Sequence, residues 1–146
     1  MNKQTYEDYL SENGSLTYSN VGISMLPLLR QGRDLFTVRK KGAERCKKYD
    51  VVLYRRPPSH YVLHRIIAVR ENDYVIRGDN CIQKEYGITD ADIIGVMTEY
   101  VRKGKKHTAE DAGYRLYSRF WVAVAPVRIM LQRLRSFAGR KLNGKK

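Results

Sequence analysis

The placement of turn signals constrains this chain more than any other feature. Lys41-Gly42, Pro57-Pro58, Asn72-Asp73 and Gly78-Asp79-Asn80 punctuate short runs rich in Val, Ile, Leu and Tyr at 34–39, 49–55, 60–70, 74–77 and 92–101. Gly, Pro, Asn and Asp favour the backbone angles of turns, whereas β-branched and aromatic residues suit a pleated, half-buried surface. Residues 15–21 alternate in the same way. No helical period separates these runs. The pattern therefore predicts a mainly β fold, several short strands in a sandwich or partly open barrel. Ahead of it, Thr5 is placed to cap a short helix through Tyr6, Tyr9 and Leu10 that stops before Gly14. Residues 25–29 have room for one helical turn, ended by Gly32.

From Leu116 the period changes to that of a helix. Leu116, Phe120, Ala123, Val124, Val127, Met130, Leu131 and Leu134 fall on one face, with Arg115, Ser118, Arg119, Arg128, Gln132 and Arg135 on the other. Pro126 lacks an N–H and is expected to kink or split the segment. Charge follows the same division. Residues 1–101 carry 15 Lys/Arg and 13 Asp/Glu, whereas 102–146 carry 13 Lys/Arg against Glu110 and Asp111 alone. The formal charge of +13 is thus almost wholly a property of the tail. The chain reads as a β-rich domain over 1–101, followed by a basic linker (103–106, with His107 solvated) and an amphipathic C-terminal segment over 102–146.

These features bound the partners. The tail, residues 115–146, is expected either to lie on an anionic membrane surface, with Phe120 and Trp121 at headgroup level, or to pack on the β domain. Nucleic acid is disfavoured, because the strands carry no aromatic stacking motif. Residues 1–19 are polar and include Glu7, Asp8 and Glu12, unlike a signal peptide, and no apolar run reaches the ~20 residues of a membrane span. A cytoplasmic or peripheral-membrane protein is the expectation. Cys46 and Cys81 are too few for a disulfide framework, and no Cys or His spacing suggests a metal or cofactor.

The candidate chemistry begins at Val21-Gly22-Ile23-Ser24-Met25-Leu26-Pro27. Gly22 gives the backbone access to positive φ, and Pro27 stiffens the segment beyond the hydroxyl. A serine nucleophile needs such a mounting, with backbone N–H groups beside it and a base within reach. Of the three histidines, His60 and His107 sit in polar settings, whereas His64 lies inside the apolar run 61–69. A partly buried imidazole near a carboxylate can be tuned across physiological pH. Gly78-Asp79-Asn80 offers such a carboxylate.

The ordered blocks Gly-x-Ser-Met-x-Pro at 22–27, His-Arg-Ile at 64–66 and Gly-Asp-Asn at 78–80 resemble signal-peptidase-like serine peptidases. They come closest to the endoplasmic-reticulum and archaeal type, in which histidine replaces the catalytic lysine. Gly32-Arg33-Asp34 and Tyr49-Asp50-Val51-Val52 add weaker matches, so the likeness covers roughly 15–101. It implies a signal-peptidase/LexA-like β-fold whose shallow cleft takes an extended peptide as an added strand. It also implies Ser24 as nucleophile, His64 as general base, Asp79 as the group orienting His64, the Ser24 N–H in an oxyanion hole, and Gly22, Met25 and Pro27 beside the substrate. The expected function is serine endopeptidase acting on a protein or peptide precursor, without cofactor. The family's second aspartate has no direct counterpart: Glu85, Asp90 and Asp92 all stand open for its place. Two alternatives remain. A self-cleaving repressor of the LexA type needs a lysine base and a DNA-binding module, for which the first 20 residues are too short. A non-catalytic β module binding peptide or nucleic acid needs neither.

Overall fold

The structure, a computed structural model, describes residues 4–58 and 60–143. Its elements in chain order are α1 (Tyr6–Asn13), β1 (Ser15–Ser19), β2 (Leu35–Lys40), β3 (Val51–Arg56), β4 (His60–Val69), β5 (Tyr74–Arg77), β6 (Glu85–Ile88), β7 (Ile93–Arg102), β8 (Lys105–Thr108) and α2 (Ala112–Asn143). The strands form one open antiparallel sheet in the order β1-β2-β7-β3-β4-β5-β6, with β8 paired to β7. The chain is mainly β with a C-terminal helix, as the turn spacing predicts.

Local chemistry explains most element ends. Thr5 and Asp8 form a reciprocal capping box at the start of α1, and Gly14 closes it with φ of 78°. Strand β3 is apolar on consecutive positions because both its faces are covered. Val51 and Leu53 join Leu16, Phe36 and Met97 on one side, while Val52 and Tyr54 join Ile66, Tyr74 and Ile76 on the other. Residues 25–29 turn without becoming a helix, their Leu29 N–H donating to the Met25 carbonyl at 3.0 Å. Asp34, only 1 % exposed, then ties the end of this loop to the β7–β8 turn. It accepts from the Arg30 N–H at 2.8 Å and the Lys103 N–H at 3.0 Å.

Three sequence expectations are corrected. First, residues 103–106 are no solvated linker. Lys103 and Gly104 both have positive φ, 53° and 78°, and turn the chain back as β8. Positive φ at both central residues matches the twist of a two-residue hairpin. His107 there stacks on Tyr100 at 4.9 Å, so the β unit runs to Thr108, not to 101. Second, Pro126 does not split the tail: α2 continues through it for 32 residues. The Pro126 ring sits on an exposed side of the helix. Third, the apolar stripe is not the side of that helix that packs on the β domain. Tyr114, Ser118 and Ala125 are buried, while Leu116, Phe120 and Val127 are exposed. Among the described residues, no helix is long and apolar enough to cross a membrane.

Candidate active site

The Ser24 loop is seated on the Gly78-Asp79-Asn80 turn. The Asn80 N–H donates to the Ser24 carbonyl at 2.8 Å, and the Asn80 side-chain amide donates to the Ile23 carbonyl at 3.1 Å. Gly78 permits this approach for a steric reason. A Cβ there would lie 2.7 Å from the Ser24 carbonyl oxygen and 2.9 Å from His64 Cδ2. Those two atoms are therefore no farther apart than the sum of the two distances. On its other side the loop is held by Asn20, whose amide donates to the Leu29 carbonyl at 3.3 Å, and by Gln31, whose Oε1 accepts from the Gly22 N–H at 2.8 Å. Gly22 itself has φ of 81°, a conformation favouring glycine.

Ser24, half-buried, and His64, 7 % exposed, line one cavity of about 530 Å³. Its lining combines the polar Arg56, Cys81 and Glu85 with the apolar Leu16, Phe36, Leu53 and Leu63. Residues 18–21 border it, at and just beyond the end of the edge strand β1. Among the described residues the Ser24 N–H has no hydrogen-bond acceptor, which leaves it available to an oxyanion.

The orientation of His64 follows from a chain of three partners. Tyr54 donates its hydroxyl proton to Glu85 Oε1 at 2.7 Å, because an ionised carboxylate can only accept. The Tyr54 oxygen lies 3.2 Å from His64 Nδ1, so it accepts the proton that Nδ1 carries. That leaves Nε2 unprotonated, as a base requires. Glu85 Oε1 is 3.6 Å from the same Nδ1, and Glu85 is in turn paired with Arg56.

Of the three acids open for the second carboxylate, Glu85 is the one at the site. Asp90 accepts from Tyr74 and pairs with Lys41 and Arg45, and Asp92 accepts from the Thr89 N–H and hydroxyl. Sequence reasoning missed Tyr54 and Arg56. The available signal was a tyrosine and an arginine on the strand paired with His64, since β3 and β4 run side by side there.

Asp79 does not orient His64. It is 3 % exposed, and its carboxylate takes a bidentate contact from Arg65, Nε at 2.8 Å and Nη2 at 2.9 Å, plus the Tyr117 hydroxyl at 2.8 Å. Successive side chains of a strand point to opposite faces, so His64 and Arg65 turn away from each other and each takes its own acid. Arg65, fully buried, also donates to Ser118 Oγ at 2.7 Å and the Tyr49 carbonyl at 3.0 Å. Trp121 Nε1 donates to the Asp79 carbonyl at 2.7 Å, which places Trp121 against the domain. The Asp79–Arg65 pair thus pins α2 onto the turn that holds Ser24.

The three residues expected beside the substrate also move. Met25 is fully buried in the core, Pro27 faces α2 near Trp121 and Arg128, and the Gly22 N–H is taken by Gln31. The cavity walls instead are Tyr6, Tyr18 and Tyr61, with Tyr6 edge-on to Tyr61 at 4.7 Å. Among the described residues, no group of three His, Cys, Asp or Glu could hold a metal ion.

Burial lowers the His64 imidazole to about 4, against the opposing pull of Glu85 and with the help of Arg56. A depressed histidine destabilises the folded state in acid. Near its ordinary value of 6.5 the unfolded chain takes up a proton that the folded protein refuses until about 4. Stability therefore falls as pH drops through that window, by roughly 3 kcal/mol in all. Asp34, held at about 2 chiefly by Arg33 and backbone N–H groups against its own burial, loses its contribution only below its ordinary 3.8. The two effects separate on the pH axis. Urea midpoints at pH 7, 5.5 and 4.5 are expected to fall in the wild type and to flatten in His64→Gln; parallel curves would assign the loss elsewhere.

Comparison of the chain with protein-family models, curated proteins and solved structures returned no match.

Proposed function

We propose that the protein is a serine endopeptidase that cuts an extended peptide segment with Ser24 as nucleophile and His64 as base. The observation that carries the reading is the shared cavity of Ser24 and His64, in which Tyr54 and Glu85 set the imidazole tautomer. His64 Nε2 takes the Ser24 hydroxyl proton as Oγ attacks the scissile carbonyl, and the Ser24 N–H receives the oxyanion. The same proton passes to the leaving amine as the C–N bond breaks. Water, deprotonated by His64, then attacks the acyl ester and frees Ser24. The imidazole stays neutral from about pH 5 upward, so the acid limb of kcat/KM falls near 4.

The substrate class follows from the cavity. An extended segment beside residues 18–21 would add to the β1 edge and offer one apolar side chain to Leu16, Phe36, Leu53 and Leu63. A protein or peptide precursor met in the cytoplasm or at a membrane surface fits this description.

A second reading, a non-catalytic peptide-binding module, is favoured by one feature: an imidazole lowered to about 4 is a weak proton acceptor. Incubation of wild type and Ser24→Ala with secretory precursors and cytosolic leader peptides, followed by mass spectrometry, separates the two. Cleavage by the wild type that Ser24→Ala abolishes while keeping its melting temperature supports the peptidase. Retained peptide affinity in both proteins, with no product from either, leaves the binding module.

A further inference from the structure

Helix α2 docks on the domain through Tyr114, Ser118, Trp121 and Ala125 and turns its apolar stripe outward. Leu116, Phe120, Val127, Met130, Leu134 and Phe137 are 54–71 % exposed. At 3.6 residues per turn they fall within roughly one-third of the helix circumference. Tyr114, Ser118, Trp121 and Ala125, which meet the domain through Arg65, Asp79 and the core, fall on the opposite side. Folding of the domain therefore leaves this stripe uncovered.

The cations of α2 border the stripe. By the same period Arg115 and Arg133 lie along one margin and Arg135 beyond the other, while Arg128 turns back over the Trp121 ring. The whole of 112–143 contains no Asp or Glu. Apart from Arg119 and Lys141, the side chains within this arc are apolar, so the stripe calls for an apolar receiver and its cations for negative charge. The stripe also continues toward the Ser24 loop. Leu26 and Pro27 share a groove with Val127 and Leu131, and Val21 and Ile23 of that loop are 70 % and 67 % exposed.

We infer that the outer face of α2 lies on an anionic lipid surface, with the stripe sunk to the acyl boundary and the arginines at the phosphates. An apolar face flanked by cations is the arrangement that holds a helix in the plane of a bilayer. A second copy of this chain fits poorly, since face-to-face pairing sets one arginine margin against another. A nucleic acid would satisfy the arginines and leave the stripe in water. This inference stands without the peptidase reading, because it uses none of the cavity residues.

Co-sedimentation of the full chain with phosphatidylglycerol-containing and pure phosphatidylcholine vesicles tests it. The protein is expected to pellet with the first and stay in solution with the second, and to be released by salt. Arg133→Gln/Arg135→Gln is expected to weaken partitioning about thirtyfold. Leu116→Glu/Phe120→Glu/Leu134→Glu is expected to remain in solution with an unchanged melting temperature. Equal recovery from both vesicles would overturn the inference, as would undiminished pelleting of the glutamate variant. So would a dimer in light scattering that this variant abolishes, or tight binding of duplex oligonucleotide that it retains. Should the glutamate variant fail to fold, the vesicle comparison and the arginine variant still decide.

Discussion

Asp79→Asn is expected to cost the protein about 3–5 kcal/mol of stability, the range for breaking a buried ion pair from one side. Arg65 has no exposed surface, and the substitution leaves its charge facing a neutral amide. The remaining partners of Arg65, the Tyr49 carbonyl, Ser118 Oγ and the Tyr114 hydroxyl, are dipoles and offset only part of that loss. Arg65→Met should cost a similar amount by stranding the carboxylate. The double variant should lose less than the two single losses combined, because each alone leaves one unpaired charge. Urea unfolding of the four proteins measures this coupling. The result that would overturn the assignment is an Asp79→Asn protein of wild-type stability whose turnover has collapsed. Asp79 would then act on His64 after all.

Tyr54→Phe is expected to lower kcat by about two to four orders of magnitude, the scale seen when an imidazole base is left in the wrong tautomer. The hydroxyl is the acceptor for His64 Nδ1–H and the donor to Glu85, so its removal frees the ring to take either tautomer. Glu85→Gln should act in the same direction and more weakly, since the amide oxygen can still accept from Tyr54. Both are positioning residues, and a loss of rate alone would not distinguish them from packing. The decisive readout is the ¹⁵N spectrum of His64, which should report a protonated Nδ1 in the wild type and mixed tautomers in Tyr54→Phe. Full activity and an unchanged spectrum in Tyr54→Phe would remove the relay from the mechanism.

The contrast between these two acids shows where the sequence was legible. Strands β2 to β5 and β7 were visible because their apolar runs and turn residues are local signals, and the Thr5 cap and Gly14 stop of α1 likewise. Strand β6, Glu85-Tyr86-Gly87-Ile88, has two exposed positions and a glycine at φ 76°, and carries no such signal. Strand β8 hid among lysines because an edge hairpin needs few apolar residues. At the site, Ser24, His64 and the Gly78 turn were recognisable as blocks, but the pairing of acids to bases was not. That pairing depends on which face of β4 each residue takes and on a tyrosine supplied by β3, both tertiary facts. Alternation alone held part of the answer: adjacent His64 and Arg65 on a strand cannot share one carboxylate. Which face of α2 docks was left open for a related reason. Apolar periodicity marks an amphipathic helix but does not say which medium receives its apolar side.

The seat of Ser24 has a further consequence. Its carbonyl is gripped by the Asn80 N–H, and one residue earlier the Asp79 carbonyl is gripped by Trp121 of α2. Two hydrogen bonds on opposite sides of a single peptide unit thus tie Ser24 to the helix. By linkage, whatever steadies α2 on the domain raises the fraction of molecules with Ser24 in place, and a peptide engaged at Ser24 steadies α2 by the same free energy. On the proposed peptidase reading, a chain in which α2 has swung away would be a dormant form, with its serine intact and unaimed.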